Sequence, residues 1–438
     1  MRIFLRVLLF WAFPFWLQAQ SPLRIRQLDS LLHQIESRSN VSEIGKMQSA
    51  LARSTTRAAR LNTLNFRSPI QAQYTDNTQL PVSYLPAEAF GGQPGNFREV
   101  QIGQQFVSTW SISPQVDLLN PAAWARVESA RQNERRVEES RKKELRQVLE
   151  SATAAWFNWV SAQRSLRQLT QSLQTADSLQ ALMERKFREG MVRKQDLNLA
   201  RLNPMSLRDK IRQSEMQQAQ ALATLKSLLE LEAETDLQLD PMEKESQAET
   251  QTVMAGQQNT RTALAQEAYD QAEWKAGRWQ SFAPTLSLLF NQSWQQNSNQ
   301  RFFDRNGQNF NAQYVALKLS IPFPLDPNRM SLDFNNKIQW KIARQRRQHA
   351  RFTDQLEQQI LRLEQEKSLS GLQVQEQTFR LREENYRLAL AQFEEGFIAA
   401  DQLLNAFSER INARTQYDNA RSQHEYQLAR ISIHNRFL

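Results

Sequence analysis

The side chains that most often carry enzyme chemistry are sparse in this chain and fall in no reactive pattern. Its four histidines, His33, His349, His424 and His434, are scattered, with no i,i+4 pair and no HExxH arrangement of the kind that holds zinc. Cysteine is absent, which excludes a disulfide framework, thiol catalysis, Cys-based metal sites and a lipid anchor on an N-terminal Cys. No nucleophile, base and orienting group stand together, so the expectation is a protein that is not an enzyme and uses no cofactor or metal. What the chain does repeat is a glycine-centred stretch: "FREGMVRKQDLNLA" at 187–200 and "FEEGFIAADQLLNA" at 393–406. Phe187 and Phe393, Gly190 and Gly396, Leu197 and Leu403, and Ala200 and Ala406 each stand 206 residues apart, in a chain with only 11 glycines. Glycine inside a helix costs about 1 kcal/mol relative to alanine, so both glycines need a structural reason.

The elements that hold these stretches are legible from proline placement. Residues 122–203 and 328–438 contain no proline, and both are rich in Ala, Leu, Gln, Glu, Arg and Lys. Interior prolines break helices, so both segments permit long ones. In the first, Leu145, Val148, Ala152, Ala155, Trp159, Ala162, Leu166, Leu169, Leu173, Ala176, Gln180, Met183 and Phe187 follow in steps alternating between three and four. That is a coiled-coil seam, with alanines that allow close helix approach. In the second, Ile360, Leu363, Ser370, Val374, Leu381 and Leu388 fit a seam that Lys367, Gln377 and Glu384 interrupt. Two readings of it stand: a helix that faces water in a lumen, or a loosely packed surface helix. A helix over about 121–189 would be roughly 100 Å long at 1.5 Å per residue. Gly190 ends it and helical pattern resumes at once, which predicts a helix–turn–helix hairpin.

Between the helical segments the period changes to two. Over 66–76, Phe66, Ser68, Ile70, Ala72 and Tyr74 alternate with Arg67, Gln71, Gln73 and Thr75, and Ile102, Phe106, Trp110 and Ile112 share one face of 102–112. Leu286, Leu288, Phe290 and Trp294 alternate with Thr285, Ser287, Asn291 and Ser293, while Val315, Leu317, Leu319 and Ile321 oppose Tyr314, Lys318 and Ser320. Four strands of about ten residues suit a transmembrane barrel, apolar to lipid and polar to a lumen. A soluble antiparallel sheet with one buried face gives the same alternation. Loops 77–98 and 298–311 carry the Gly, Pro and Asn that turns require. Asn120 and Asp326 are expected N-caps, with Pro121 and Pro327 at the first helical positions, marking two strand-to-helix exits.

Bulk properties bound the function. The chain is 40% apolar and 23% charged, with a net charge of +9, of which Arg2 and Arg6 supply 2. That excess is modest and dispersed; "KIARQRRQHAR" at 341–351 reads as a wet helix face, so nucleic acid is not an expected partner. Arg2 and Arg6, the apolar run from Val7 to Leu17 and the small residue Ala19 predict a signal peptide over 1–19. The alternative is an uncleaved interfacial segment. No later stretch holds 18 apolar residues, so a membrane crossing requires a closed β-barrel.

The order helix, hairpin, long helix, glycine turn and helix, performed twice, resembles the TolC-like outer-membrane efflux family. The paired turn motifs carry the likeness, together with the strand exits "SPQVDLLNP" and "SIPFPLDPN". The implied fold class is mainly α with membrane β: a trimeric 12-stranded barrel, four strands per subunit, continued by a long α-helical coiled-coil barrel. The first copy would span 20–236, with a hairpin at about 66–118, a long helix at 121–189 and a returning helix at 191–235. The second would span 237–438, with a helix at about 243–280, a hairpin at 284–322, a long helix at 327–395 and a returning helix at 397–436. The family implies a homotrimer in outer-membrane lipid, a periplasmic adaptor, and an inner-membrane pump of RND, ABC or MFS type. It places Gly190 and Gly396 at periplasmic tips, Phe187 and Phe393 in tip packing, and Asp196, Asp401, Gln402 and Asn405 near the entrance. Some members ring that entrance with carboxylates; Gln402 and Asn405 would substitute neutral amides, which select less for cations. Two other function classes stand beside the exit duct: a soluble periplasmic coiled-coil scaffold, and an exported enzyme that the missing clusters argue against.

Overall fold

The computed structural model describes residues 23–240, 252–322 and 326–437, so the expected signal peptide lies outside the described residues. In chain order the elements are β1 (Leu23–Ile25), α1 (Leu28–Arg38), α2 (Asn40–Leu61), β2 (Ile70–Asp76), β3 (Val82–Pro86), β4 (Phe97–Gln101), β5 (Phe106–Ile112) and β6 (Gln115–Leu119). They continue with α3 (Pro121–Arg188), α4 (Lys194–Leu229), β7 (Leu237–Leu239), α5 (Gln258–Phe282), β8 (Thr285–Ser298), β9 (Gln308–Ser320), α6 (Pro327–Glu394) and α7 (Ala400–Arg436). Each long helix, α3 and α6, has 68 residues. None of the described helices is long and apolar enough to cross a membrane.

The chain forms two compact units, and each draws on both halves of the sequence. One contains Gly45–Arg141 and Gln257–Asp354, and holds the main sheet. There β2 pairs with β5, β5 and β6 pair in succession with β8, and β8 pairs with β9, all antiparallel. The β5–β6 break falls at Ser113–Pro114, where proline cannot donate to the ladder. The sheet therefore has four strand positions, and β2 and β9 form its two edges. Within and just past the loop 77–98, β3 and β4 form a two-stranded ribbon. Tyr84, opposite Glu99 and hydrogen-bonded to it at 2.8 Å, ties the two strands, and Gly91 and Gly95 supply the left-handed turns at φ +77° and +85°.

Helix starts in this unit are set by caps. The Asn120 side-chain oxygen accepts the Ala123 amide at 3.0 Å, and Asp326 accepts the Asn328 amide at 3.0 Å. The helix expected from about 243 begins instead at Gln258, with 241–251 outside the described residues. Its start is capped from another helix: Asp354 on α6 accepts the Asn259 and Thr260 amides at 3.2 and 2.8 Å. A carboxylate there satisfies orphan donors and suits the helix dipole.

The other unit contains the chain up to Ile44, Lys142–Gly256 and Gln355–Leu438. One core gathers Ile25, Leu31, Ile35, Leu149, Trp156, Trp159, Leu225 and Ile433, next to the parallel pair β1–β7. A second packs Leu169, Ala176, Met183, Leu197, Phe393, Leu403 and Phe407 from four helices. Much of the α3 seam is buried: Ala152, Ala155, Trp159, Ala162, Leu169, Ala176 and Met183 are all at most 6% exposed, and Leu149, Thr153 and Trp156 widen the stripe. The α6 seam behaves differently. Ile360, Leu363, Val374, Leu381 and Leu388 are all about half-exposed, and α6 buries Leu361, Tyr386 and Phe393 instead.

Candidate functional site

Both glycine turns have the same backbone construction. Gly190 donates to Phe187 O at 3.0 Å and Met191 to Lys186 O at 2.9 Å. Gly396 donates to Phe393 O at 3.1 Å and Phe397 to Gln392 O at 2.8 Å. These crossed bonds are Schellman motifs, which satisfy the last carbonyls of a helix and require a left-handed residue. Gly190 and Gly396 sit at φ +75° and +82°, and nothing lies within 4 Å of a Cβ added at either. Gly396→Ala is therefore expected to destabilise by about 1–2 kcal/mol through the backbone alone. Gly371→Ala, on the open face of α6, should instead stabilise by about 0.5–1 kcal/mol. Thermal midpoints that move in the same direction in both variants would exclude this reading of the turn.

The side chains around the turns are not equivalent. Phe393 is buried and Lys186 Nζ lies 5.5 Å from its ring centre, whereas Phe187 is 38% exposed at the end of its seam. The paired phenylalanines therefore do not share a packing role within the chain. Asp196 is buried and accepts from Arg193 Nε at 3.1 Å and a terminal nitrogen at 3.4 Å. The Asp196 contact, and the Asp401 charge after it, hold the Arg193 guanidinium above its ordinary range. Asp401 is half-buried, and its Oδ1 has no hydrogen-bond partner among the described residues. Gln402 and Asn405 are exposed. Arg193 was not anticipated from sequence; its i,i+3 spacing to Asp196 was the available signal.

Ion pairs stitch each hairpin. Arg201 meets Glu184 and Arg208 meets Asp177 between α3 and α4, at 3.1 and 3.2 Å. Arg410 meets Glu383 and Arg382 meets Glu409 between α6 and α7, both at 2.5 Å. Further along α7, two histidines are buried. Ser368 Oγ lies 3.0 Å from His424 Nδ1, and His434 Nε2 lies 3.3 Å from Met254 O. Burial pushes both below the ordinary histidine range, and Arg146 adds to the shift at His434 although Glu357 stands 3.9 Å away. A depressed folded value means that the unfolded chain binds the extra proton. The associated stability is present above about pH 6.5, the unfolded value, and is lost as pH falls through the folded values. The thermal midpoint should thus drop between pH 7 and 5, and drop less in a His424→Gln/His434→Gln variant. Burial raises Asp418, whose slope has the opposite sign, so the comparison is made as a difference between variants. Equal drops would exclude the assignment. Among the described residues no group of three or more His, Asp or Glu is placed to hold a metal.

The sheet presents two chemically distinct faces. Register places Ile70, Trp110, Ile112, Val116, Leu286, Leu288, Phe290, Trp294, Val315, Leu317 and Leu319 on one. From Leu286 to Trp294 this face runs eight steps, about 27 Å at 3.4 Å per residue, apolar from Leu286 to Phe290 and interrupted at Gln292 opposite Gln313 before Trp294. At its far end Trp110 pairs with Trp294, and Tyr74 meets Trp110, Phe302 and Phe303 edge to face. Polar residues enter this face before the aromatics, at Gln292 opposite Gln313, and continue past them with Asn311 opposite Trp294 and Gln296 opposite Asn309. The opposite face carries Gln71, Gln73, Thr109, Ser111, Asn291, Ser293 and Lys318.

No protein-family model matches the chain, and no curated protein matches its sequence. Solved structures do match. The outer membrane protein VceC of Vibrio cholerae has a TM-score of 0.69 at 15% identity, over 93% of this chain and 96% of that one. The Campylobacter jejuni CmeC outer membrane channel has 0.68 at 12% identity, over 93% and 85%. The open state of the Neisseria gonorrhoeae MtrE outer membrane channel has 0.67 at 16% identity, over 93% and 88%. Likeness at this level of identity and coverage concerns the fold, and the chain has the TolC-like fold of these outer-membrane channels.

Proposed function

We propose that the protein is the outer-membrane exit duct of a tripartite efflux or secretion system. The observation that carries this reading is a four-stranded sheet with an apolar outer band and two unpaired edges. Unpaired strand edges are untenable in lipid, so the band and the edges together require other copies. Three copies would close a 12-stranded barrel, and the half-exposed α6 seam would find its partner in a neighbouring copy's helices. The glycine turns would be the periplasmic tips, facing an adaptor and a pump of RND, ABC or MFS type. Gln402 and Asn405, exposed beside the second turn, are the candidates to line the entrance, together with the half-buried Asp401. The duct carries substrate by passage rather than by catalysis.

The test is whether the protein fractionates with the outer membrane, needs detergent for extraction, runs as a heat-modifiable trimer and conducts in planar bilayers. A protein soluble without detergent and silent in bilayers would instead be the periplasmic scaffold. In the conducting trimer, Gln402→Asp should make the current more sensitive to block by multivalent cations. Unchanged sensitivity would remove Gln402 from the entrance.

A further inference from the structure

On the polar face of the sheet, β9 differs from its neighbours. It presents Phe310, Ala312, Tyr314, Ala316 and Lys318 in turn, so that large and small side chains alternate. The large residues face polar partners across the β8 ladder, Gln295 opposite Phe310, Asn291 opposite Tyr314 and Ser287 opposite Lys318, while Leu289 stands opposite Ala316. The two rings are 51% and 52% exposed, and neither takes part in the contacts that join Tyr74, Trp110 and Phe302 on the other face. In a lipid-facing band exposed rings need no explanation. On a wet face they leave apolar area that a ring-bearing solute would cover.

Spacing and charge narrow the class of solute. Residues four apart on a strand are about 14 Å apart, so Ala312 separates the rings by a gap that a flat solute can bridge in steps. Lys318 lies one further rung along and is exposed. Arg67, bridged to Gln115, adds a second positive charge on this face. The acid there, Asp117, is buried and hydrogen-bonded by Asn65, Asn120 and Ser287. The accessible charge on the polar face is therefore positive.

We propose that Lys318, Tyr314 and Phe310 form a ladder inside the barrel that recognises aromatic anions on their way out. This rests on the exit-duct reading, in which the polar face lines the lumen. Lys318 meets the acidic group, and the rings take the apolar body in succession. Several weak rungs favour passage, because conduction needs sites that bind and also release.

The experiment uses the full-length protein in planar bilayers carrying a KCl current. 2-Naphthalenesulfonate is the probe, and methanesulfonate is the control of equal charge without a ring. Wild type should be blocked by the naphthalene probe at a concentration at least about tenfold below that of the control. Phe310→Ala/Tyr314→Ala should raise the half-blocking concentration about tenfold, equivalent to about 1.4 kcal/mol. Tyr314→Phe should leave it unchanged, and Lys318→Gln should weaken block by both probes. Both rings are exposed, so the alanine variant should assemble, and its heat-modifiable band checks this. A conducting alanine variant that keeps wild-type block within twofold overturns the ladder, as would rings covered by the neighbouring copy's edge strand. Equal block of wild type by the two probes also overturns it. Absence of any conductance overturns the exit-duct reading and the ladder with it.

Discussion

Val315→Lys should abolish stable assembly in the outer membrane, while Ala316→Lys on the next residue should be tolerated. Val315 lies opposite Phe290, midway along the face between Leu286 and Trp294, and Ala316 lies opposite Leu289 on the other face. A lysine facing lipid near the bilayer midplane costs about 2–4 kcal/mol, and a trimer would carry that cost three times. Ala316→Lys places its charge on the face with Lys318, where water solvates it. Both substitutions fall on the same edge strand and introduce the same side chain; the loss of the β-favouring valine accounts for at most about 1 kcal/mol of the difference, less than the lipid-facing cost. The measurement is the yield of heat-modifiable trimer extracted from outer-membrane fractions. In a soluble scaffold Val315, already 68% exposed in the single chain, would accept lysine without loss. Equal yields from the two variants would therefore contradict the membrane assignment of this face.

The second large effect is expected in the core behind the turns. Phe407→Ala should destabilise the chain by about 3–5 kcal/mol, the range for truncating a buried aromatic ring. Phe407 is fully buried, its ring centre lies 5.6 Å from that of Tyr386, and it belongs to the core shared by all four helices near the turns. Phe397→Ala, one residue past Gly396 and 76% exposed, should change stability by less than about 0.5 kcal/mol. Denaturation midpoints report the difference, and hydrogen exchange locates it. The loss should concentrate in amides of α7 and the facing part of α6. Similar costs for the two phenylalanines would show that the hairpin is not held by this core.

The α3 seam was largely readable, because alternating steps of three and four keep one stripe apolar over many turns; the structure buries much of that stripe, together with Leu149, Thr153 and Trp156 beside it, and leaves Phe187 at its end exposed. Strand faces were readable for the same reason at period two. α6 was harder. Its interrupted seam at Ile360, Leu363, Val374, Leu381 and Leu388 is real as a pattern but lies exposed. The residues it buries, Leu361, Gln365, Ser368, Tyr386 and Phe393, include polar ones that a hydrophobic count passes over. A helix with two stripes does not reveal which one its neighbour covers.

What the sequence determined by itself is local. It set helix and strand period, the glycines that end α3 and α6, and the prolines that open them, because these depend on backbone conformation and nearest neighbours along the chain. What only the tertiary structure decided is non-local: that Phe393 is covered and Phe187 is not, that Arg193 closes on Asp196, that Asp354 caps a helix more than 90 residues away, and that loop 77–98 holds a ribbon. These depend on which surfaces meet once the chain has turned back on itself. Matching local motifs such as the two phenylalanine–glycine turns then diverge, because burial is a property of the neighbour rather than of the residue.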